Sequence, residues 1–167
     1  MYEIGDYVVK ANNGVCRVEN LVPLDMPGMS DERLYYLLVP VSDPGAKVYV
    51  PVDKASVMLR RVLDAAQARD VIRKIPEIRE VGISNEKLRE QEYKKAIQSM
   101  DPHALVAVIK NLYFRRKKRF DQRKKSIAAD ERFFKLAEDT LYSELAFAIG
   151  CEKTEMRQLI ADTIDKK

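Results

Sequence analysis

Turn-forming residues are concentrated in the first third of this chain, and their uneven distribution constrains the fold more than any other feature. Residues 1–58 hold five of the seven prolines and four of the six glycines. Proline breaks the interior of a helix and glycine weakens it. A segment interrupted this often forms only short elements, whereas the remainder is free to form long helices. The sequence therefore predicts two segments of different class, 1–58 and 59–167.

Four short runs in residues 1–58 alternate apolar and polar residues or are briefly all apolar. They are DYVVKA, GVCRVENLV, RLYYLLVPV and KVYVPV, separated by Asn13-Gly14, Pro27-Gly28 and Pro44-Gly45. The pattern predicts about five short antiparallel strands, with Gly14 in a turn that needs a positive φ. So short a segment cannot form two full sheets. We therefore expect a small Tudor/SH3-like antiparallel β-barrel, with Cys16 in its core.

Helical periodicity replaces the strand pattern after residue 59. A first helix (62–75) ends before Pro76, and a second covers 85–99. A third starts at Asp101, with Pro102 as its first helical residue. It continues into a basic stretch. A fourth is capped by Ser126 and ends at Gly150, and a short fifth follows. The fold class is α+β: the β-barrel followed by an all-α helical bundle. Residues expected to face the helical core are Val62, Ala66, Val71, Ile75, Leu88, Tyr93, Ile97, Leu105, Val108, Ile109, Leu112, Tyr113, Phe133, Leu136, Ala137, Leu141, Leu145, Ala148, Met156, Leu159, Ile160 and Ile164.

Positive charge is concentrated in one stretch, KNLYFRRKKRFDQRKK (110–125). It holds nine Lys or Arg residues and one acid, Asp121, which gives +8; because the net charge is +4, the rest of the chain sums to −4. Lysine-rich helix surfaces usually interleave acids with their bases, and this stretch does not. One basic element on a mildly acidic chain is typical of proteins that bind a polyanion. The competing interpretation is a solvated helix end.

The sequence offers little for catalysis or metal binding. Its one histidine, His103, stands in a predicted first helical turn without partner residues. The glycines do not form a phosphate loop, and Cys16 and Cys151 lack metal-ligand spacing. No apolar run is long enough to cross a bilayer, and the N-terminal residues do not read as a secretory signal. We expect a cytosolic monomer with no cofactor, metal or catalytic residue.

Segments from both halves of the chain resemble the CarD/CdnL family of bacterial transcription regulators. YEIGDYVVKANNGVCRVENL and YYLLVPV…KVYVPVD are similar to the opening strands of that family. VIKNLYFRRKK and ERFFKLAEDTLYSELAFAIG are similar to its C-terminal helices, including the Leu-x-x-Glu-Leu-Ala core. Each motif is weak alone, but their order and spacing make the resemblance specific.

The resemblance implies that residues 1–58 form an RNA-polymerase-interacting domain, shared with the transcription-repair coupling factor. Such a domain docks on the polymerase β subunit through one sheet edge. The docking strand corresponds here to Lys47, Val48, Tyr49 and Val50. Relatives often have arginine in place of Tyr49, so a ring and a hydroxyl replace bidentate charge pairing. We expect the side chains of Val48 and Val50 in the core and their backbone groups to be free to pair with a partner strand.

For residues 59–167 the resemblance implies contact with promoter DNA at the upstream edge of the transcription bubble. Some relatives insert a tryptophan into the minor groove there. This chain has no tryptophan, and Glu86 or Lys87 stands in the matching region. DNA contact is then left to cations, which need only their charge to bind phosphate. The basic residues that carry over are Arg89, Lys94, Lys95, Arg115, Arg116, Lys117, Lys118, Arg119, Arg123, Lys124 and Lys125.

Three functions remain open at this point. The first is a nucleoid-associated regulator that binds the polymerase β subunit and the promoter DNA backbone, modulating open-complex stability without sequence-specific readout. The second is a polymerase- or protein-binding module with little DNA contact of its own. The third is a small DNA-processing enzyme, against which the single histidine and the missing metal and phosphate motifs argue.

Overall fold

The computed structural model describes residues 1–24, 27 and 33–165. The chain divides into two compact units, Met1–Val62 and Leu63–Lys167, and each contains its own hydrophobic core. The first unit is built mainly of strands and the second of helices. This organisation confirms the predicted α+β class.

The first unit is an antiparallel sheet of five strands in the order β4-β3-β2-β1-β5. Its strands are β1 (Tyr7–Lys10), β2 (Gly14–Leu24), β3 (Arg33–Pro40), β4 (Val48–Pro51) and β5 (Leu59–Arg61). A 3-10 turn (Val52–Lys54) and the short helix α1 (Ala55–Met58) lie between β4 and β5. The sheet is open, and the prediction of a closed barrel is wrong. Within the described strands, β5 pairs with β1 alone and β4 with β3 alone, so the two edges do not meet.

Alternate side chains of this sheet build the core of the first unit. The core contains Val8, Cys16, Val18, Tyr36, Leu38, Val50, Ala55 and Leu59. Cys16 is buried as predicted, and burial raises the pKa of its thiol to about 11. Gly14 has φ +69°, which confirms the predicted turn. Of the Pro27-Gly28 turn, Gly28 lies outside the described residues.

The second unit contains five further helices. They are α2 (Ala65–Lys74), α3 (Arg89–Gln98), α4 (Pro102–Asp121), α5 (Ala128–Ile149) and α6 (Lys153–Asp165), with 3-10 turns at Ile75–Glu77 and Glu86–Leu88. The side chain of Asp101 accepts a hydrogen bond from the His103 N–H at 3.0 Å, which confirms the predicted cap of α4. Gly150 ends α5 at φ +87°, also as predicted. No helix in the described part of the chain is both long and apolar enough to span a membrane.

The start of α5 differs from its prediction. Ile127, not Ser126, occupies the N-cap position, and no side chain caps the helix. The helix begins one residue later than a serine cap would set it. Asp130 and Glu131 lie in its first turn, where acidic side chains interact favourably with the helix dipole.

The helical core follows the predicted stripes with four exceptions. Val62 precedes α2 and belongs to the first unit, so it does not join the helical core. Leu88 is exposed because it lies in the 3-10 turn before α3, where the register differs from that of the helix. Ala66 is exposed because the buried face of α2 runs through Ala68 and Val71. Leu159 is exposed beside the buried stripe of α6, which consists of Met156, Ile160 and Ile164.

Candidate functional site

The predicted docking strand lies at an edge of the sheet. β4 pairs on one side with β3, and no described strand covers its other side. Val50 is fully buried and Val48 packs against the core, whereas Tyr49 is 43% exposed and Lys47 is exposed. The strand therefore has apolar side chains directed inward, a tyrosine directed outward and one row of backbone groups open to a partner.

The basic stretch forms the last two turns of α4 and the segment that follows. We call residues 115–125 the basic tip. The helix continues to Asp121 and then ends in a hydrogen-bonded turn. The Arg123 N–H donates to the Phe120 carbonyl and the Lys124 N–H to the Arg119 carbonyl, both at 2.9 Å. These two bonds form a Schellman motif, in which the residue just beyond the C-cap is usually a glycine in the left-handed region. Here Arg123 occupies that position at φ +57°.

Five cations of the basic tip are exposed and have no ion-pair partner among the described residues. They are Lys117, Lys118, Arg123, Lys124 and Lys125. Arg119 is half-buried, and its Nε donates to the Lys125 carbonyl at 2.9 Å, which fastens the segment after α4 to the helix. The tip is thus a concentrated positive surface on an ordered helix end.

Two arginines of the tip are held by acids of α5. Arg115 Nε lies 2.5 Å from Asp130 Oδ2. Arg116 Nε lies 3.2 Å from Glu131 Oε1, and its guanidinium sits 4.1 Å from the centre of the Phe134 ring. These contacts fix α4 against α5 and offset part of the charge that the sequence predicted for this surface.

Arg89 is also used inside the fold. It contacts Glu86 at 2.5 Å, donates to the Tyr93 hydroxyl at 2.6 Å and to Asn111 Oδ1 at 3.0 Å. The hydrogen bond with Glu86 raises the pKa of Arg89 and lowers that of Glu86, so both stay charged. The side chain of Arg89 is only 13% exposed. Its position suits a structural role better than direct contact with DNA.

Lys94 and Lys95 are exposed on α3, but the fold does not bring them to the basic tip. The hydroxyl of Tyr93, their neighbour in sequence, bonds to Asn111 at 2.5 Å, which places this part of α3 beside the middle of α4. Arg119 is eight residues further along α4, about 12 Å at 1.5 Å per residue. The two lysines therefore belong to the part of α3 beside the middle of α4, and not to the end of α4 that carries Arg119.

Lys110 is the buried member of the basic stretch. Its Nζ donates to the carbonyls of Ile75 and Ile78 at 2.6 and 2.7 Å, and burial lowers its pKa. It closes the carbonyl end of α2 and so belongs to the fold. The remaining site candidates add no chemistry: His103 is exposed, and no cluster of His, Cys, Asp or Glu in the described ranges could hold a metal ion.

Comparison with known families decides the identity of these two units. Residues 2–63 match the family model of the CarD-like/TRCF RID domain. Residues 70–161, more than half of the chain, match that of the CarD C-terminal domain. The chain belongs to the CarD family. It is accordingly a transcription-related regulator that binds RNA polymerase. No individual curated protein matches it.

The Glu of the Leu-x-x-Glu-Leu-Ala core is Glu144. Glu144 is fully buried in α5, and its Oε2 accepts the backbone N–H of Leu63 at 3.0 Å. It therefore anchors the first residue of the second unit to the longest helix of that unit. A buried carboxylate in this role is a structural feature of the CarD C-terminal domain in this chain.

Sequence reasoning missed two features of the CarD surface described here. The sequence showed Glu86 only as a residue in the region that matches the tryptophan of relatives, although it contacts both Arg89 and Arg115. Phe120 was not singled out from the sequence, although its side chain is 79% exposed. Its position eight residues beyond Leu112, past the last buried residue of α4, was the available signal.

Proposed function

We propose that this chain, acting as a monomer, binds the RNA polymerase β subunit through the free edge of β4 and promoter DNA through the basic tip. The DNA contact is to backbone phosphates, without readout of base sequence, and its effect is to modulate the stability of the open promoter complex. The chain reaches the nucleoid through the polymerase. The family supports polymerase binding in general terms; the specific surfaces rest on the geometry above.

The observation that carries the DNA contact is the set of five exposed cations without acidic partners in the described fold. Phosphate is bound by positive charge on flexible stems or planar guanidinium groups, and such contacts carry no sequence information. Four of the five are lysines, Lys117, Lys118, Lys124 and Lys125, which act as mobile point charges rather than as bidentate readers of bases. The tip is therefore suited to binding the phosphate backbone of DNA.

The salt dependence of DNA binding tests this surface. We would compare Lys118→Glu/Lys124→Glu with Arg69→Glu/Arg79→Glu, which makes the same charge change on exposed residues away from the tip. Removing one phosphate interaction should reduce the slope of log K against log salt by about 0.9. The tip variant should bind promoter DNA with polymerase more weakly and with a flatter slope, and its open complexes should have an altered lifetime. Equal behaviour of the two variants would contradict the proposal.

The β4 edge is tested by Tyr49→Glu in the full-length chain. Tyr49 is exposed, so the substitution should leave the core intact while placing a charge on the docking face. Binding to the β subunit should fall. Leu21→Glu is the matched control, because Leu21 is similarly exposed on β2, a strand inside the sheet. Unchanged binding of Tyr49→Glu would remove β4 as the docking strand.

A second function, a polymerase-binding module with little DNA contact, is favoured by one observation. Arg89, Arg115 and Arg116 are held by Glu86, Asp130 and Glu131, which reduces the cations available to phosphate. The two experiments separate the alternatives. If the tip variant changes neither DNA affinity nor open-complex lifetime while Tyr49→Glu abolishes polymerase binding, the second function is correct.

A further inference from the structure

An exposed aromatic ring stands in the middle of the basic tip. Phe120 is 79% exposed. It lies two turns beyond Leu112, past the residues of α4 that pack into the helical core. Its ring makes no aromatic or cation–π contact within the described residues. The fold therefore does not use this side chain.

The surroundings of Phe120 are cationic. Lys117 precedes it by three residues, which places the two side chains next to each other on the helix surface. Arg123 and Lys124 follow directly after the helix, and all three cations are exposed. Asp121 is the one acid of the tip. An apolar partner surface would have to desolvate these charges in order to cover the ring, so the setting disfavours docking into an apolar pocket.

Hydrogen bonds order the backbone that carries the Phe120 ring. The Phe120 carbonyl accepts the N–H of Arg123, and the side chain of Arg119 is bonded to the Lys125 carbonyl. The turn is closed with Arg123 in the left-handed region, where glycine is the easier residue. The backbone at Phe120 is thus held by hydrogen bonds, and exposed cations precede and follow Phe120 in the chain.

We propose that Phe120 stacks on an unpaired base, so that the basic tip binds single-stranded DNA in preference to duplex. Aromatic rings flanked by a positive groove are the general means of holding single strands. Every base offers a face to a phenyl ring, so such stacking is tolerant of sequence. In a duplex the faces are already covered by neighbouring bases. This inference rests on the proposed DNA contact of the tip and adds the strand state that it prefers.

The test measures binding of the full-length chain to three fluorescent DNAs by anisotropy. The DNAs are a mixed-sequence single strand, the same strand with abasic sites in place of bases, and the corresponding duplex. The abasic strand keeps the phosphates and removes the stacking faces. The variants are Phe120→Ala, Phe120→Trp and Phe120→Leu; because the side chain is exposed, none should affect folding, which circular dichroism verifies.

We expect Phe120→Ala to weaken single-strand binding by about 5- to 150-fold, which corresponds to the loss of one stacked base. Phe120→Trp should retain binding, and Phe120→Leu should lose nearly as much as Phe120→Ala because it has no ring. Affinity for the duplex and for the abasic strand should not change in any variant.

Two results would overturn the inference, and they differ from failure of the proposed function. If Phe120→Ala binds the single strand as the unmodified chain does, stacking is excluded while the duplex contact stands. If Phe120→Leu retains full affinity, the ring acts as an apolar contact and not by stacking. If the unmodified chain binds none of the three DNAs, the DNA contact itself is wrong and the stacking proposal fails with it.

Discussion

The Glu86 carboxylate accepts two hydrogen bonds from the Arg89 guanidinium, at Oε1 from Nη2 at 2.5 Å and at Oε2 from Nε at 2.7 Å. The same Oε1 lies 3.8 Å from Nη1 of Arg115 on α4. A carboxylate in the 3-10 turn before α3 therefore joins that helix to α4. It stabilises the packing of the two helices. It also offsets the positive charge that Arg89 and Arg115 would present to a polyanion at this face.

Replacing Glu86 with glutamine should tighten DNA binding. The change removes a negative charge and the ion-pair partner of Arg89, whereas Arg115 keeps its pair with Asp130. Log affinity should therefore fall more steeply with log salt, by up to about 0.9 for one additional phosphate that is neutralised. Fluorescence anisotropy over a salt series measures both quantities. Glu90→Gln is the control, because it makes the same charge change at an exposed residue of α3 that has no ion pair in the described fold. Identical slopes for the two variants would show that only net charge matters.

Tyr93→Phe should lower the free energy of unfolding by about 1–2 kcal/mol. The buried Tyr93 hydroxyl accepts from Arg89 at 2.6 Å and donates to Asn111 Oδ1 at 2.5 Å. The variant keeps the ring and its packing on Phe133, whose centre is 5.6 Å away, and removes only the polar contacts. Urea denaturation measures the loss. Tyr49→Phe, at an exposed position, should leave stability unchanged, and an equal effect at both positions would refute the structural role of the hydroxyl.

Arg123→Gly should raise the free energy of unfolding by about 1 kcal/mol, because a residue with a Cβ is disfavoured at a left-handed φ. The same variant should bind DNA more weakly, since the tip loses an exposed cation. Denaturation and anisotropy measure the two effects. Gln122→Gly supplies the contrast: Gln122 has φ −87°, so glycine should bring no gain in stability there. A destabilised Arg123→Gly would contradict the backbone argument.

Glu138→Gln should stabilise the protein at neutral pH. Burial is the main cause that raises the pKa of Glu138 above its ordinary value of 4.5. Between the ordinary and the raised pKa the native state holds a proton that the unfolded state has lost, so rising pH costs stability. The variant should match the wild type in acid and become the more stable of the two as the pH rises through this interval.

Thermal melts over a pH series test this expectation. Arg157, the ion-pair partner of Glu138 at 3.4 Å, is half exposed, so its loss of a partner should cost little. Glu155→Gln makes the same charge change at an exposed position in the first turn of α6 and serves as the control for net charge. A Glu138→Gln variant that is less stable than the wild type at neutral pH would show that the pair with Arg157 outweighs burial.

The features that could be predicted from sequence are those set by neighbours along the chain. Asp101 with Pro102 starts α4, Gly150 ends α5 and Gly14 makes its turn because each depends on the φ preference or capping group of a few adjacent residues. The positions of most buried residues followed from periodicity, although Ala66 on α2 and Leu159 on α6 are exposed beside the buried stripes of their helices. The prediction that Leu88 is buried was wrong because a 3-10 turn shifts the register before α3.

The features that could not be predicted depend on groups distant in sequence. β5 is three residues long without alternation, and it exists because β1 offers an edge for it. Whether Arg115 is free depends on Asp130 and Glu86, fifteen and twenty-nine positions away. Helical periodicity puts Arg115, Lys118 and Arg119 on one face of α4, yet only Lys118 is exposed without a hydrogen bond or ion pair in the described residues. The helical face of these residues follows from periodicity. Their ion-pair and hydrogen-bond partners depend on how α4 packs against α5.

An open sheet has a hazard that a closed barrel avoids. The uncovered side of β4 offers the same backbone groups to a second copy of the chain as to a partner, and edges of this kind lead to sheet-to-sheet aggregation. β4 limits this by being four residues long, by ending at Pro51 and by following Lys47. A long, flat edge would bind a partner strand more tightly and would also polymerise. The short length of β4 therefore limits the affinity of the sheet edge for a partner strand, and for the same reason it helps to keep the protein soluble.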